Sequence, residues 1–200
     1  MPDLLFALRR RGPTSAISPQ QDGAAYARPV RALLGVAVVA LALCLASAAS
    51  PGASRVFVIA HVADGDTVDL TGGIRVRLVQ IDTPEVYFET ECYGPQASAV
   101  TRRLLPPGTV VRLTAEPATD RVDRYGRLLR YVTRVRDGLD VNVELVRVGA
   151  AAPYFYGHRR GRYAALLEQL ARDARRRHLG LWGVCRHTPY DPYRRVATRP

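Results

Sequence analysis

Lysine is absent from the chain: all 29 basic residues are arginine. Cysteine is scarce, with three in 200 residues, and methionine and tryptophan occur once each. No His/Cys cluster has zinc-type spacing, so a structural zinc module is not expected. One long uncharged run exists, residues 32–49, which excludes a multi-span membrane protein. No internal repeat is visible. What is present is ordinary for a globular chain, 48% hydrophobic and 24% charged residues, and excludes wholesale disorder or a fibrous protein. About 150 residues suffice to bury a full core without metal or dense disulfides. The net charge of +11 is less ordinary. A basic, all-arginine chain points to a polyanionic partner, nucleic acid before anionic membrane, because the guanidinium fork grips phosphate bidentately.

Residues 1–50 read as targeting. Arg28 and Arg31 precede the uncharged run from Ala32 to Ala49, which ends in the small residues Ala46-Ser47-Ala48-Ala49. A basic flank, an apolar stretch and an A-x-A ending fit a signal peptide cleaved after Ala48. Eighteen apolar residues are also just long enough to stay as a membrane anchor. Either way the remaining chain is expected outside the cytoplasm: secreted, or held on the membrane if the segment is uncleaved. A translation start at Val30 would shorten the leader. Beyond residue 50, 24 arginines oppose 16 acids, so the basicity belongs to the folded part. Cys92 and Cys185 remain there, and an even pair in an exported protein suggests a disulfide, with two unpaired thiols as the alternative.

Strands are predicted at 55–62, 67–71, 74–81, 109–114 and 128–135, with a two-residue Gly72-Gly73 hairpin between the second and third. Gly94-Pro95 opens a helix that Pro106-Pro107-Gly108 stops. Residues 140–148 are ambiguous: valines favour a strand, whereas Asp140 and Gly149 suit the two caps of a helix. Tyr163, Leu166, Leu167, Leu170, Ala171 and Ala174 form one apolar helix face. Residues 188–200 read as a flexible, solvated tail. The pattern is α+β, mainly β, and fits a five-stranded barrel of the OB type, a fold that binds oligonucleotides on one face.

Asp66, Asp82 and Glu85 cluster around the second and third strands. A hairpin brings its far ends together, so Asp66 and Asp82 can share a site. Two carboxylates with backbone carbonyl and water suit a hard divalent cation, and a third carboxylate can position or deprotonate water. Arg77 and Arg127 flank this cluster and would clamp a phosphate. One obstacle is geometric. Arg77 and Asp82 are five residues apart, so on a regular strand they face opposite sides. They converge only if the strand bends or ends before Asp82, which Pro84 favours. Taken singly, Asp64-Gly65-Asp66 is a turn, Asp82-Thr83-Pro84-Glu85 a loop or cap, and Asp123-Arg124-Tyr125-Gly126-Arg127 a polar turn. His61, His158 and His178 read as structural or exposed, and Trp182 as core.

In order along the chain stand Val62-Ala63-Asp64-Gly65-Asp66-Thr67-Val68, Val76-Arg77-Leu78, Ile81-Asp82-Thr83-Pro84-Glu85, Tyr93-Gly94-Pro95-Gln96-Ala97-Ser98, Asp123-Arg124-Tyr125-Gly126-Arg127, Val141-Asn142 and Leu179-Gly180-Leu181-Trp182. With these the chain resembles the staphylococcal nuclease (thermonuclease) family over roughly residues 54–187. The resemblance implies a nuclease domain over 51–187: an OB-fold barrel with three helices, residues 140–148 being one of them. It implies Ca²⁺ held by Asp66, Asp82 and the Thr83 carbonyl, with Glu85 near as general base and Arg77 and Arg127 on the phosphate. It implies cleavage of DNA and RNA that leaves 3′-phosphate ends, by a monomer that takes flexible single strands more easily than duplex. Arg124, Tyr125, Tyr154 and Tyr156 match substrate-contacting positions. A non-catalytic OB-fold nucleic-acid-binding module is the rival reading. Two departures stand out. Val86 to Cys92 is short and acidic where the family prototype has a Lys-rich loop, and the Cys92–Cys185 pair has no counterpart there.

Overall fold

Alternating valine, isoleucine and leucine positions give each predicted strand one apolar face, and five such faces close on one another. The computed structural model describes residues 55–200, so the targeting segment expected over residues 1–50 lies outside the described residues. Strands β1 (Val56–Val62), β2 (Thr67–Leu70), β3 (Ile74–Leu78), β5 (Val110–Thr114) and β6 (Leu128–Arg134) form a closed barrel in the order β1-β2-β3-β6-β5. Neighbours are antiparallel except β3 and β6, which run parallel. In β1 the inward residues Ile59 and Val62 are three apart, not two. A one-residue register shift against β2 between Ile59 and His61 accounts for this, since a bulge moves later residues to the other face. Val68, Leu70, Val76, Leu78, Val111 and Val132 fill the interior.

Two strand expectations need correction. The β2–β3 turn has three residues, not two, because Leu70 pairs with Ile74 and both Gly72 and Gly73 take positive φ. The predicted strand 74–81 is broken. β3 stops at Leu78, Gln80 adopts φ 67°, and Ile81–Asp82 forms a separate short strand, β4, against β7 (Ala152–Pro153). A left-handed residue is costly in mid-strand. Here the Gln80 side chain offsets that cost, donating to the Arg159 carbonyl at 2.8 Å and accepting from Gly161 N at 2.7 Å.

Three helices cover the barrel. Helix α1 (Gly94–Leu104) has Pro95 in its first turn, as its sequence requires. Helix α2 (Val141–Arg147) is capped by the Asp140 side chain, which accepts from Val143 N at 3.1 Å. Capping and burial of Val141, Leu145 and Val146 override the strand propensity of this segment. Helix α3 (Ala164–Arg176) buries Ala164, Leu167, Ala171 and Ala174, while Leu166 lies at the edge of the stripe and is 40% exposed. A four-residue helix, α4 (Leu181–Val184), follows. Among the described residues no helix is long and apolar enough to cross a membrane.

Two devices tie the layers together. Asn142 is fully buried, accepts from Val132 N at 3.0 Å, and donates to the carbonyls of Val79 and Arg130 at 2.9 and 3.2 Å. Cys92 and Cys185 form the expected disulfide. Closing a loop across 93 residues contributes ~4–5 kcal/mol on the chain-entropy account.

Residues 188–200 are not a solvated tail. Val196 and Thr198 are buried, Thr198 Oγ1 donates to the Cys92 carbonyl at 2.6 Å, and His187 and Arg199 form an antiparallel bridge. Tyr190 and Val196 join Trp182, Leu181, Ala174 and Cys185 in a small second core. With few apolar residues and no periodicity, the segment has no local signal of order; its order comes from partners distant in sequence.

Replacing Asn142 with Ala strands the Val132 amide and the Val79 carbonyl in the interior, while the Arg130 carbonyl keeps the Val79 amide at 3.0 Å. Unsatisfied buried groups cost about 1–3 kcal/mol each, so Asn142→Ala should destabilise the fold by about 3 kcal/mol or more in urea titration. A change below about 0.5 kcal/mol, the size of an ordinary surface substitution, would contradict this account.

Candidate active site

The break at Gln80 resolves the geometric obstacle. Arg77 leaves β3 pointing outward from the hairpin end, and the left-handed turn swings Asp82 back beneath it. Arg77 Nη2 lies 2.6 Å from Asp82 Oδ1 and 2.9 Å from Asp66 Oδ2. Its Nη1 donates to the Leu78 and Ile81 carbonyls, each at 3.0 Å. All three charged side chains are nearly buried, with 11%, 8% and 1% of Arg77, Asp66 and Asp82 exposed. Their pairing across β2 and β3 follows the ladder, in which Thr67 stands opposite Arg77.

Asp66 is set by its own turn. Asp64 Oδ1 accepts from Asp66 N at 3.0 Å, and Thr101 Oγ1 of α1 holds the Gly65 carbonyl at 2.6 Å. Gly65 is required here: a Cβ would stand 2.7 Å from Thr83 Cβ. Thr83 anchors Asp66 Oδ2 twice, through its amide at 2.9 Å and its hydroxyl at 3.1 Å. Burial pushes the Asp66 carboxyl up to about 7 despite the pull of Arg77. Burial also raises Asp82, again against Arg77.

Arg127 reaches the same place from the other side. Asp123 fixes it, accepting from Arg127 Nε at 2.7 Å and from its amide at 3.0 Å. Its Nη1 stands 3.5 Å from Thr67 Oγ1, which donates to Asp66 Oδ1 at 3.2 Å. The guanidinium lies over the Tyr125 ring, with Arg124 on the same ring.

One cavity of about 750 Å³ gathers the sequence-predicted residues: Asp66, Arg77, Thr83, Glu85, Arg124, Tyr125, Arg127, Tyr154 and Tyr156 all line it. Asp82 is the exception and lies beneath Arg77. Tyr154 and Tyr156 stand edge-to-face at 6.3 Å while Phe155 between them turns into the core, just before the 3₁₀ turn Tyr156–His158. Glu85 is held by its backbone: its amide donates to Glu91 Oε2 at 2.8 Å, and its carbonyl accepts from Glu91 N at 3.0 Å. His61, His158 and His178 are exposed and do not line this cavity.

The donor set fits a hard cation only in part through side chains. No group of three His, Cys, Asp or Glu side chains suited to a metal occurs among the described residues. Asp66 and Asp82 supply two carboxylates that share one buried guanidinium, so the buried trio carries one negative charge in excess. A divalent cation completed by backbone carbonyl and water suits such a site.

Sequence reading missed two residues. Arg195 contacts Glu85 and stands 3.5 Å from Asp82 through Nε, and the Val196 amide donates to Asp82 Oδ2 at 2.9 Å. Gln80 makes the turn on which the site depends. One of three arginines in a presumed tail and a glutamine inside a β-rich run carry no sequence signal of either role.

Comparison with known proteins agrees with this geometry. Residues 75–184 match the staphylococcal nuclease homologue family. Thermonuclease from Staphylococcus intermedius is 35% identical over 132 residues, which span 63% of this chain and 75% of that protein. An uncharacterized endonuclease of Escherichia coli O157:H7 is 33% identical over 127 residues, spanning 62% and 74%. Endonuclease YhcR of Bacillus subtilis (strain 168) is 34% identical over 110 residues, only 9% of its length. With a matching family over more than half its length and that family's barrel, the chain belongs to the staphylococcal nuclease family.

Proposed function

We propose that the chain is an exported, Ca²⁺-dependent nuclease that cuts DNA and RNA with little sequence specificity and leaves 3′-phosphate ends. It is a phosphodiester hydrolase of its family. The observation that carries the reading is the Asp66–Arg77–Asp82 trio, open to a cavity that also holds Arg127, Glu85 and four tyrosines. Asp66, Asp82 and the Thr83 carbonyl would hold the cation, which when bound would offset negative charge on the scissile phosphate. Arg77 and Arg127 hold the phosphoryl oxygens as charge shifts among them. Glu85 orients a water and takes its proton as the hydroxide oxygen bonds to phosphorus. The P–O5′ bond breaks, and the departing oxygen ends protonated as a 5′-hydroxyl.

Tyr154, Tyr156 and Tyr125 offer faces for unstacked bases, which supports a preference for flexible single strands. Export is supported by the leader-like segment at residues 32–49 and by the Cys92–Cys185 bridge, a feature of oxidising compartments.

The direct test is cleavage of labelled single-stranded DNA with Ca²⁺ and with a chelator. Chelation should abolish cutting. Glu85→Gln and Arg127→Ala should each lower kcat by about 10²–10³-fold, the range for lost proton transfer or charge stabilisation. Binding without cutting under every divalent metal would make the chain a binding module instead.

A pH dependence follows from Asp66. With its carboxyl raised to about 7, it holds a proton below that pH, which an incoming cation must displace. Ca²⁺ affinity should therefore fall as pH drops through 7, by up to about tenfold per unit for one displaced proton. Calorimetry in buffers of different ionisation enthalpy should register proton release at pH 6 and little at pH 8.5. Affinity independent of pH across that window would show that Asp66 is not a ligand.

A further inference from the structure

The segment after the disulfide is built into the site, and the inference drawn from it rests on the role just assigned to Glu85. Arg195 is the one side chain among the described residues that is hydrogen-bonded to the Glu85 carboxylate. Next to it, the Val196 amide holds Asp82 Oδ2. Two successive residues thus supply donors to two acids of the site.

The loop that carries them is fixed at both ends to the same point. It leaves from Cys185, which is bridged to Cys92, and it returns to Cys92 through Thr198. The His187–Arg199 bridge closes its base, and the Pro192 carbonyl accepts from Phe155 N at 2.6 Å. Arg195 is therefore presented by an ordered frame, so little side-chain and loop entropy remains to be lost when it acts. It also lies outside residues 75–184, the stretch that matches the family.

The charge balance calls for such a residue. Asp64, Asp66 and Glu85 line the cavity, with Asp82 beneath Arg77 and Glu91 on the Glu85 amide, and the loop from Val86 to Cys92 adds Glu89 and no base. An approaching phosphodiester would meet this acidic rim. A guanidinium bonded to Glu85 both offsets the rim and fixes the carboxylate that must meet a water. Arg195 does not plug the cavity. It forms part of the wall of a space of about 750 Å³ that still reaches Asp66 and Arg127, and the loop makes no hydrogen bond to either.

We propose that Arg195, presented by the loop 186–199, is a positioning residue that orients Glu85 for water activation. The test combines initial rates on single-stranded DNA with Ca²⁺ titration calorimetry. It compares the wild-type protein with Arg195→Ala, Arg195→Lys, Glu85→Gln, the Arg195→Ala/Glu85→Gln double variant and Arg194→Ala, which removes one charge from the adjacent position. Arg195→Ala should lose roughly 10–100-fold in kcat, the cost of a misplaced catalytic group, with KM little changed. Lysine should restore part of it, and Arg194→Ala should match wild type. Because Arg195 acts through Glu85, the double variant should be no slower than Glu85→Gln alone. Ca²⁺ should bind Arg195→Ala at least as tightly as wild type, since a cation beside Asp82 has been removed. Unchanged or faster turnover in Arg195→Ala, or losses that add in the double variant, would overturn the inference while leaving the nuclease reading intact. Full activity in Glu85→Gln would overturn the inference together with the role assigned to Glu85, whereas a wild-type protein that binds DNA without cutting it would overturn the nuclease reading itself.

Discussion

The structure turns on one buried guanidinium. Arg77 touches both Asp66 and Asp82 through Nη2 and gives its Nη1 donors to two backbone carbonyls. Each contact depends on a different part of the fold: Asp66 on the turn entering β2, Asp82 on the turn leaving β3, the carbonyls on the strand end between them. Removing one partner of such a buried set costs about 3–5 kcal/mol, because the remaining charges lose their compensation in a poorly solvated place. In the proposed function the same arrangement would face the phosphate. Two carboxylates against one guanidinium leave a negative excess for a cation, and the guanidinium fork is already oriented.

Around that centre, much of the chain serves to hold acids and arginines still. Thr83 clamps Asp66, Asp123 clamps Arg127, Glu91 holds the backbone of Glu85, and Arg195 and Val196 hold Glu85 and Asp82. The disulfide belongs to the same system, because Cys92 ends the acidic loop and Cys185 begins the C-terminal one. A short, cross-linked loop here takes the place of a long Lys-rich one. Positive charge is supplied from the other end of the chain.

The barrel was legible in the sequence because its strands are punctuated by Gly, Pro and Asp and their apolar alternation is strong. Helix α3 was legible from its period, and α2 only from the family's pattern, because its valines argue for a strand. Most of the site was legible too, since Asp66, Arg77, Asp82, Thr83, Glu85 and Arg127 fall within motifs, and the structure brings them around one cavity. Three features were not. The length of the Gly72-Gly73 turn depends on pairing register, which is set by strands on either side. The break at Gln80 depends on hydrogen bonds to Arg159 and Gly161, some 80 residues away. The C-terminal loop is ordered by Asp82, Glu85 and Cys92, about a hundred residues earlier. Long-range partners of this kind leave no local periodicity to read.

The central claim is that the Arg77 fork, and not its charge alone, joins the two acids to the substrate phosphate. Single-turnover cleavage by Arg77→Lys, with saturating Ca²⁺ and a urea titration to check folding, tests it most directly. Lysine keeps the charge but cannot span two carboxylates and a phosphate. The account predicts a folded protein whose cleavage step is slowed by about 10²-fold or more. A folded Arg77→Lys protein that cuts at the wild-type rate would contradict it.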